Sequence, residues 1–158
     1  MKGEKTLYGK ELKIKFKQNL KNYRLNKSLT QSSFAEILEI DDKFYQRLES
    51  NVEENFYINT AIKISQKLEV PFISLFSEIS IVPGSICFKE NYANLLTKNL
   101  EKQRSLRKLT QKEFSSLIGV SPKTYSRIKN NEKYSSCFDT LITVCINLGI
   151  TFDRLFIE

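Results

Sequence analysis

Lys123, Ser126, Arg127 and Asn130 stand three or four residues apart around Tyr125 and Ile128. On a helix the last two turn inward, and the first four share one basic, polar face. The chemistry of such a face is hydrogen bonding and charge, and the rest of the composition points the same way. There is no His among the 158 residues, so the side chain that most often serves as general base or metal ligand near neutral pH is missing. Cys87, Cys137 and Cys145 are odd in number and lack CxxC spacing; they read as core or surface thiols, and no metal is expected. No glycine-rich phosphate loop and no paired-carboxylate constellation occurs. An enzyme is the least supported class, and no cofactor is expected.

The elements that must present this face are legible from Leu109 to Asn131. Thr110 suits an N-cap with Glu113 three residues on, and Phe114, Leu117 and Ile118 follow at helical spacing. Gly119 can take a positive φ, Ser121 offers a second N-cap, and Pro122 suits the first helical position. Two short helices joined by a tight turn place the second where a helix-turn-helix unit enters the major groove of DNA. The same pattern also describes an ordinary helical hairpin with a solvated charged face.

No apolar run is long enough to cross a bilayer, and the first residues lack a signal-peptide core. A cytoplasmic location without membrane contact is therefore expected. Net charge is +7, and it is segregated along the chain. Residues 1–30 hold nine Lys/Arg against two Glu, residues 31–76 hold four basic against eight acidic, and the tail from Tyr92 holds eleven basic against six acidic. Lys10 to Leu25 carries Leu12, Phe16, Leu20 and Tyr23 on one stripe with lysines over most of the rest. That is an amphipathic helix with a basic back, a pattern that also suits an anionic membrane surface.

A repeat argues against the membrane. Leu29, Thr30, Gln31 and Phe34 return as Leu109, Thr110, Gln111 and Phe114, a shift of 80 residues. Without a gap, Arg24 matches Arg104, Lys43 Lys123, Tyr45 Tyr125, Arg47 Arg127 and Leu68 Leu148, and Phe72, Leu75 and Phe76 match Phe152, Leu155 and Phe156. A unit of about sixty residues thus occurs twice. The expected layout is a first domain over 1–76, an apolar connector over 77–89 and a second domain over 90–158. Each domain should be all-α with five helices: a long first helix, the two helices of the motif, a fourth from about Asn59 or Asp139, and a short fifth near Pro71 or Thr151. Ile62, Ile64 and Leu68, then Ile142, Val144, Ile146 and Leu148, supply the fourth helix's buried stripe. The connector SEISIVPGSICF alternates apolar residues about Pro83-Gly84, which suits a small hairpin or an extended packed segment.

An Arg near the end of helix one, Leu-Thr-Gln-x-x-Phe opening helix two and x-Tyr-x-Arg-Leu-Glu in helix three resemble the lambda-repressor-like (Xre/Cro-type) helix-turn-helix domains. The resemblance implies two tandem five-helix domains that bind double-stranded DNA. It assigns a phosphate contact to Gln31 and Gln111, base edges to Lys43, Gln46 and Arg47 and to Lys123, Ser126 and Arg127, and DNA backbone to Asn130 and Asn131. The side chains agree, since Arg pairs bidentately with guanine, Gln pairs with adenine, and Lys reaches guanine or phosphate. It also implies that Arg24 and Glu49 form a partly buried ion pair. In the second copy Arg104 faces Lys129, so Lys129 is expected to point outward. Glu39 stands where the second copy has Gly119, a costly residue at a positive φ.

From Asp41 to Glu54 two basic residues meet five acidic ones, whereas from Ser121 to Tyr134 four basic residues meet one acidic. Phosphate neutralisation dominates the affinity of such modules, so the second copy is expected to be the better DNA reader. Two functions follow from the sequence. One is a sequence-specific transcriptional regulator, repressor-like, in which one chain acts as a built-in pseudo-dimer on an asymmetric site. The other is a protein-binding antirepressor or inhibitor using the acidic face of the first copy. Further pairing of whole chains into a homodimer stays open. Richness in Lys, Ile, Asn and Phe suits an AT-rich bacterial or phage genome.

Overall fold

The computed structural model describes residues 2–51, 53–78, 91–132 and 136–157, with side chains from Leu7 onward. The apolar connector falls almost wholly at 79–90, so the choice between hairpin and extended segment lies outside the described residues. The chain divides into two compact units, Met1–Asn55 with Thr60–Phe88, and Phe56–Asn59 with Lys89–Glu158.

The first unit is built on α1 (Lys2–Asn26), α2 (Gln31–Leu38), α3 (Asp42–Ser50), α4 (Ile58–Leu68) from Thr60 onward and a 3-10 turn, Phe72–Phe76. α1 begins eight residues before the expected Lys10. Phe16 and Leu20 on its apolar stripe are buried, and Phe16 stacks on Phe76 at 5.0 Å between ring centroids. Asn19 Nδ2 donates to the carbonyls of Leu75 and Ser77 at 3.0 and 2.9 Å, which fixes the 3-10 turn on α1. Thr30 caps α2 and Asp41 caps α3 through their side chains. Phe34 meets Tyr45 edge-on at 5.3 Å, locking the two helices of the motif together.

The second unit carries α5 (Tyr92–Leu106), α6 (Gln111–Leu117), α7 (Pro122–Lys129), α8 (Phe138–Leu148) and a 3-10 turn, Phe152–Leu155. Thr110 and Glu113 form the full capping box at α6, Ser121 caps α7, and Pro122 opens it. Phe114 and Tyr125 meet edge-on at 5.4 Å, and Asn99 Nδ2 donates to the carbonyls of Leu155 and Ile157. Phe56–Asn59 belongs to this unit. There Tyr57 and Cys137 make an isolated antiparallel bridge, with Ile58 N to Ser136 O at 3.0 Å and Phe138 N to Phe56 O at 2.8 Å.

The fourth helices start one residue earlier than expected, and the expected fifth element is in each unit a 3-10 turn. Ile146 is half-buried, and Cys145 takes its place in the core. Burial pushes the Cys145 thiol up to about 12, with the Asp153 charge adding to it, so this cysteine is an inert packing residue. No helix among the described residues is long and apolar enough to cross a membrane.

Candidate nucleic-acid interface

The turns before α3 and α7 need a left-handed residue, and the units meet that need differently. Gly119 adopts φ 77°, and a Cβ there would lie 2.6 Å from Asn147 Nδ2. Glu39 adopts φ 53°, and its carboxylate pairs with Lys63 and Lys67 of α4. Those hydrogen bonds, that to Lys67 first, hold the Glu39 carboxyl below its ordinary range. The positions matching Lys63 and Lys67 are Thr143 and Asn147, so the lysine pair accompanies the glutamate.

On α7, Tyr125 and Ile128 are buried and anchor the helix. Lys123, Ser126 and Asn130 are consequently exposed, and Arg127 lies beside them with its side chain 43% exposed. Arg127 Nε donates to Glu132 Oε2 at 3.0 Å. Both partners are open to solvent, so this pair is weak and its guanidinium can exchange to another acceptor. Gln111 is exposed at the first position of α6. Asn131 takes φ 53°, accepts from Thr97 Oγ1 at 2.9 Å and donates to Asn94 at 2.7 Å, which ties the end of α7 to α5. The face expected from the spacing is thus assembled on one helix, with Gln111 opening the helix before it.

On α3 the equivalent residues are already engaged. Gln46 donates to Asp42 Oδ2 at 3.0 Å, Arg47 donates to Glu54 at 3.3 Å and lies over the Phe44 ring, and Gln31 donates to Glu49 at 3.2 Å. Lys43 alone of the four expected contacts stays exposed without a hydrogen bond or ion pair among the described residues. The acidic residues are similarly occupied: Glu53 pairs with Lys10 at 3.3 Å, and Glu49 with Arg24 at 2.6 Å. Counting charges along the sequence therefore overstates how acidic this face is.

Beneath α3 lies a buried arginine network, and beneath α7 a half-buried one. Arg24 donates through Nε and Nη2 to both oxygens of Glu49 and through Nη1 to the carbonyl of Leu29, and Tyr45 Oη donates to Glu49 at 2.6 Å. Burial opposes ionisation of Glu49, but the hydrogen bonds from Arg24, Tyr45 and Gln31 outweigh it and hold the carboxyl below its ordinary value. Burial, followed by the Glu49 carboxylate, drives the Tyr45 hydroxyl far above its usual range. Arg104 similarly reaches the carbonyl of Leu109, at 2.8 Å, but its carboxylate is Glu101 on its own helix, at 2.9 Å, which also accepts from Tyr125 Oη. The hydrogen bond from Arg104 leads in holding Glu101 below its ordinary value.

The expectation that Arg104 faces only a like charge is thereby corrected. Sequence reasoning missed Glu101 because it sought the partner at the position matching Glu49. The signal was present as a double exchange, Lys21 and Glu49 in one copy against Glu101 and Lys129 in the other.

Residues 100–155 match a helix-turn-helix family model. The helix-turn-helix region so defined takes in the last part of α5, all of α6, α7 and α8, and the final 3-10 turn. Gln111, Lys123, Ser126, Arg127 and Asn130 fall inside it, together with the Arg104–Glu101 network, whereas Gln31, Lys43, Gln46 and Arg47 lie outside. No curated protein and no solved structure matches the chain.

Proposed function

We propose that this chain is a sequence-specific DNA-binding transcriptional regulator, repressor-like, acting as a single-chain pseudo-dimer of two helix-turn-helix domains. The observation that carries the reading is α7: a capped helix inside the matched region, anchored by Tyr125 and Ile128, that offers Lys123, Ser126 and Arg127 together on one face. Arg127 and Lys123 supply guanine or phosphate contacts, Ser126 supplies a short polar contact, and Gln111 supplies a backbone contact. Double-stranded DNA is the partner, the location is cytoplasmic, and neither cofactor nor enzymatic step is required.

The pseudo-dimer is supported by the repeat of 80 residues. The reading helices differ in sequence, so the preferred site is asymmetric. A protein-binding role for the first copy draws less support, because Glu39, Glu49, Glu53 and Glu54 each hold a cation of their own unit. Selection of bound duplexes from a random pool tests the proposal. An enriched motif without two-fold symmetry is expected, and recovery of no motif would overturn it.

A further inference from the structure

The carboxylate that neutralises the buried arginine stands on different helices in the two units, and this alters what each reading helix can offer. In the first unit it is Glu49, near the end of α3, and it also captures the Gln31 amide at 3.2 Å. Positions 31 and 49 are thus within hydrogen-bonding reach of one another across α2 and α3. In the second unit the acid is Glu101 on α5, the position matching Glu49 carries Lys129, and the position matching Gln31 carries Gln111. Gln111 is exposed and makes no hydrogen bond or ion pair with any described residue, while Lys129 is half-buried and is attracted to the Glu101 carboxylate without hydrogen-bonding to it. The positions joined in one unit by an amide–carboxylate bond therefore carry two donors in the other, with no hydrogen bond between them.

We propose that Gln111 and Lys129 form a two-donor grip on one backbone phosphate of duplex DNA, and that Glu101 is the positioning residue that makes it possible. The proposal rests on the DNA-binding reading of α7 and deepens it. By taking over Arg104 and Tyr125 from the first helix, Glu101 keeps the arginine network satisfied without a carboxylate on α7. Removing an acid and installing an ammonium at that place turns a site that would repel phosphate into one that attracts it. The first unit, with Gln31 held by Glu49, lacks this grip, so the units differ in phosphate affinity as well as in base contacts.

The test uses the full chain and two duplexes, one selected from a random pool and one of random sequence, titrated by fluorescence anisotropy over a series of salt concentrations. Lys129→Gln is expected to weaken both duplexes by the same factor, about three- to tenfold, and to reduce the salt slope by about one. Lys129→Arg should retain the wild-type slope. The exchange variant Glu101→Lys/Lys129→Glu rebuilds the first unit's arrangement and keeps Arg104 paired. It should weaken both duplexes more than Lys129→Gln does, with little change in melting temperature. If Lys129→Gln and the exchange variant both bind with wild-type affinity and slope, while Arg127→Ala weakens the selected duplex, the grip is overturned and the DNA-binding reading stands. If the wild-type chain binds neither duplex, both fall together.

Discussion

Each arginine network rests on a single carboxylate, and the two differ in depth. Arg24 and Glu49 are 9% and 5% exposed, so Glu49→Ala leaves a buried guanidinium unpaired and should cost about 3 kcal/mol or more. Urea titration measures this directly. Glu101 and Arg104 are more open, with side chains 26% and 24% exposed, so Glu101→Ala should cost clearly less, and Lys129→Ala should be near neutral. Similar small losses at Glu49 and Glu101 would show that depth is not what distinguishes them. Acid sensitivity follows from the same groups. Glu49 and Glu101 are held below the ordinary value of 4.5, so their contribution is complete above that pH and is lost as pH falls through their lower folded values. Glu49→Gln should flatten the decline of stability on the acid side, as measured by urea midpoints across that range. On the recognition face, Arg127→Ala should cost about 1–3 kcal/mol on the selected site and less on random DNA, whereas Gln111→Ala should weaken both alike. Equal losses for Arg127→Ala on the two duplexes would make it a phosphate contact.

At the scale of elements, the helices of the motif are set by caps and one left-handed turn, and local sequence suffices to specify both. Thr110, Glu113, Ser121 and Pro122 satisfy or remove the orphan amides at the starts of α6 and α7, so these helices begin where capping chemistry places them. Gly119→Ala should destabilise the chain by about 1 kcal/mol or more through its positive φ and through the displacement of the Asn147 amide by the added methyl. Thermal melting checks this, and an unchanged midpoint would mean that the turn relaxes to another conformation. The sequence predicts a short fifth helix where each unit has a 3-10 turn. Hydrogen-bond spacing within a single turn leaves no periodicity to read, and Asn19 and Asn99 fix these turns through tertiary contacts.

For the whole molecule, the decisive prediction concerns the footprint on a selected duplex. In the single-chain pseudo-dimer, Lys43→Glu/Arg47→Glu should erase one half of the protected region, and Lys123→Glu/Arg127→Glu the other. Each should weaken the remaining half as well, because loss of one domain's grip removes the effective concentration it gave its neighbour. A wild-type footprint from the first pair would assign all protection to the second copy. The ties of Arg47 to Glu54 and Gln46 to Asp42 lower what the first copy gains on binding, so its half should show the weaker protection.

The sequence by itself determined the helical periodicity, the caps, the glycine turn and the repeat of 80 residues, because each depends on residues close in the chain or on simple self-comparison. It also determined which residues face outward on α7, since burial of Tyr125 and Ile128 at helical spacing leaves no alternative face. Only the tertiary structure decided which charges are already spent. The pairing of Arg104 with Glu101, of Gln31 with Glu49 and of Lys67 with Glu39 joins or reassigns residues whose partners depend on side-chain reach across packed helices. Like charges counted along a sequence carry no sign of which will be neutralised, because Coulombic and hydrogen-bond energies depend on distance and solvent exposure, and folding alone sets both.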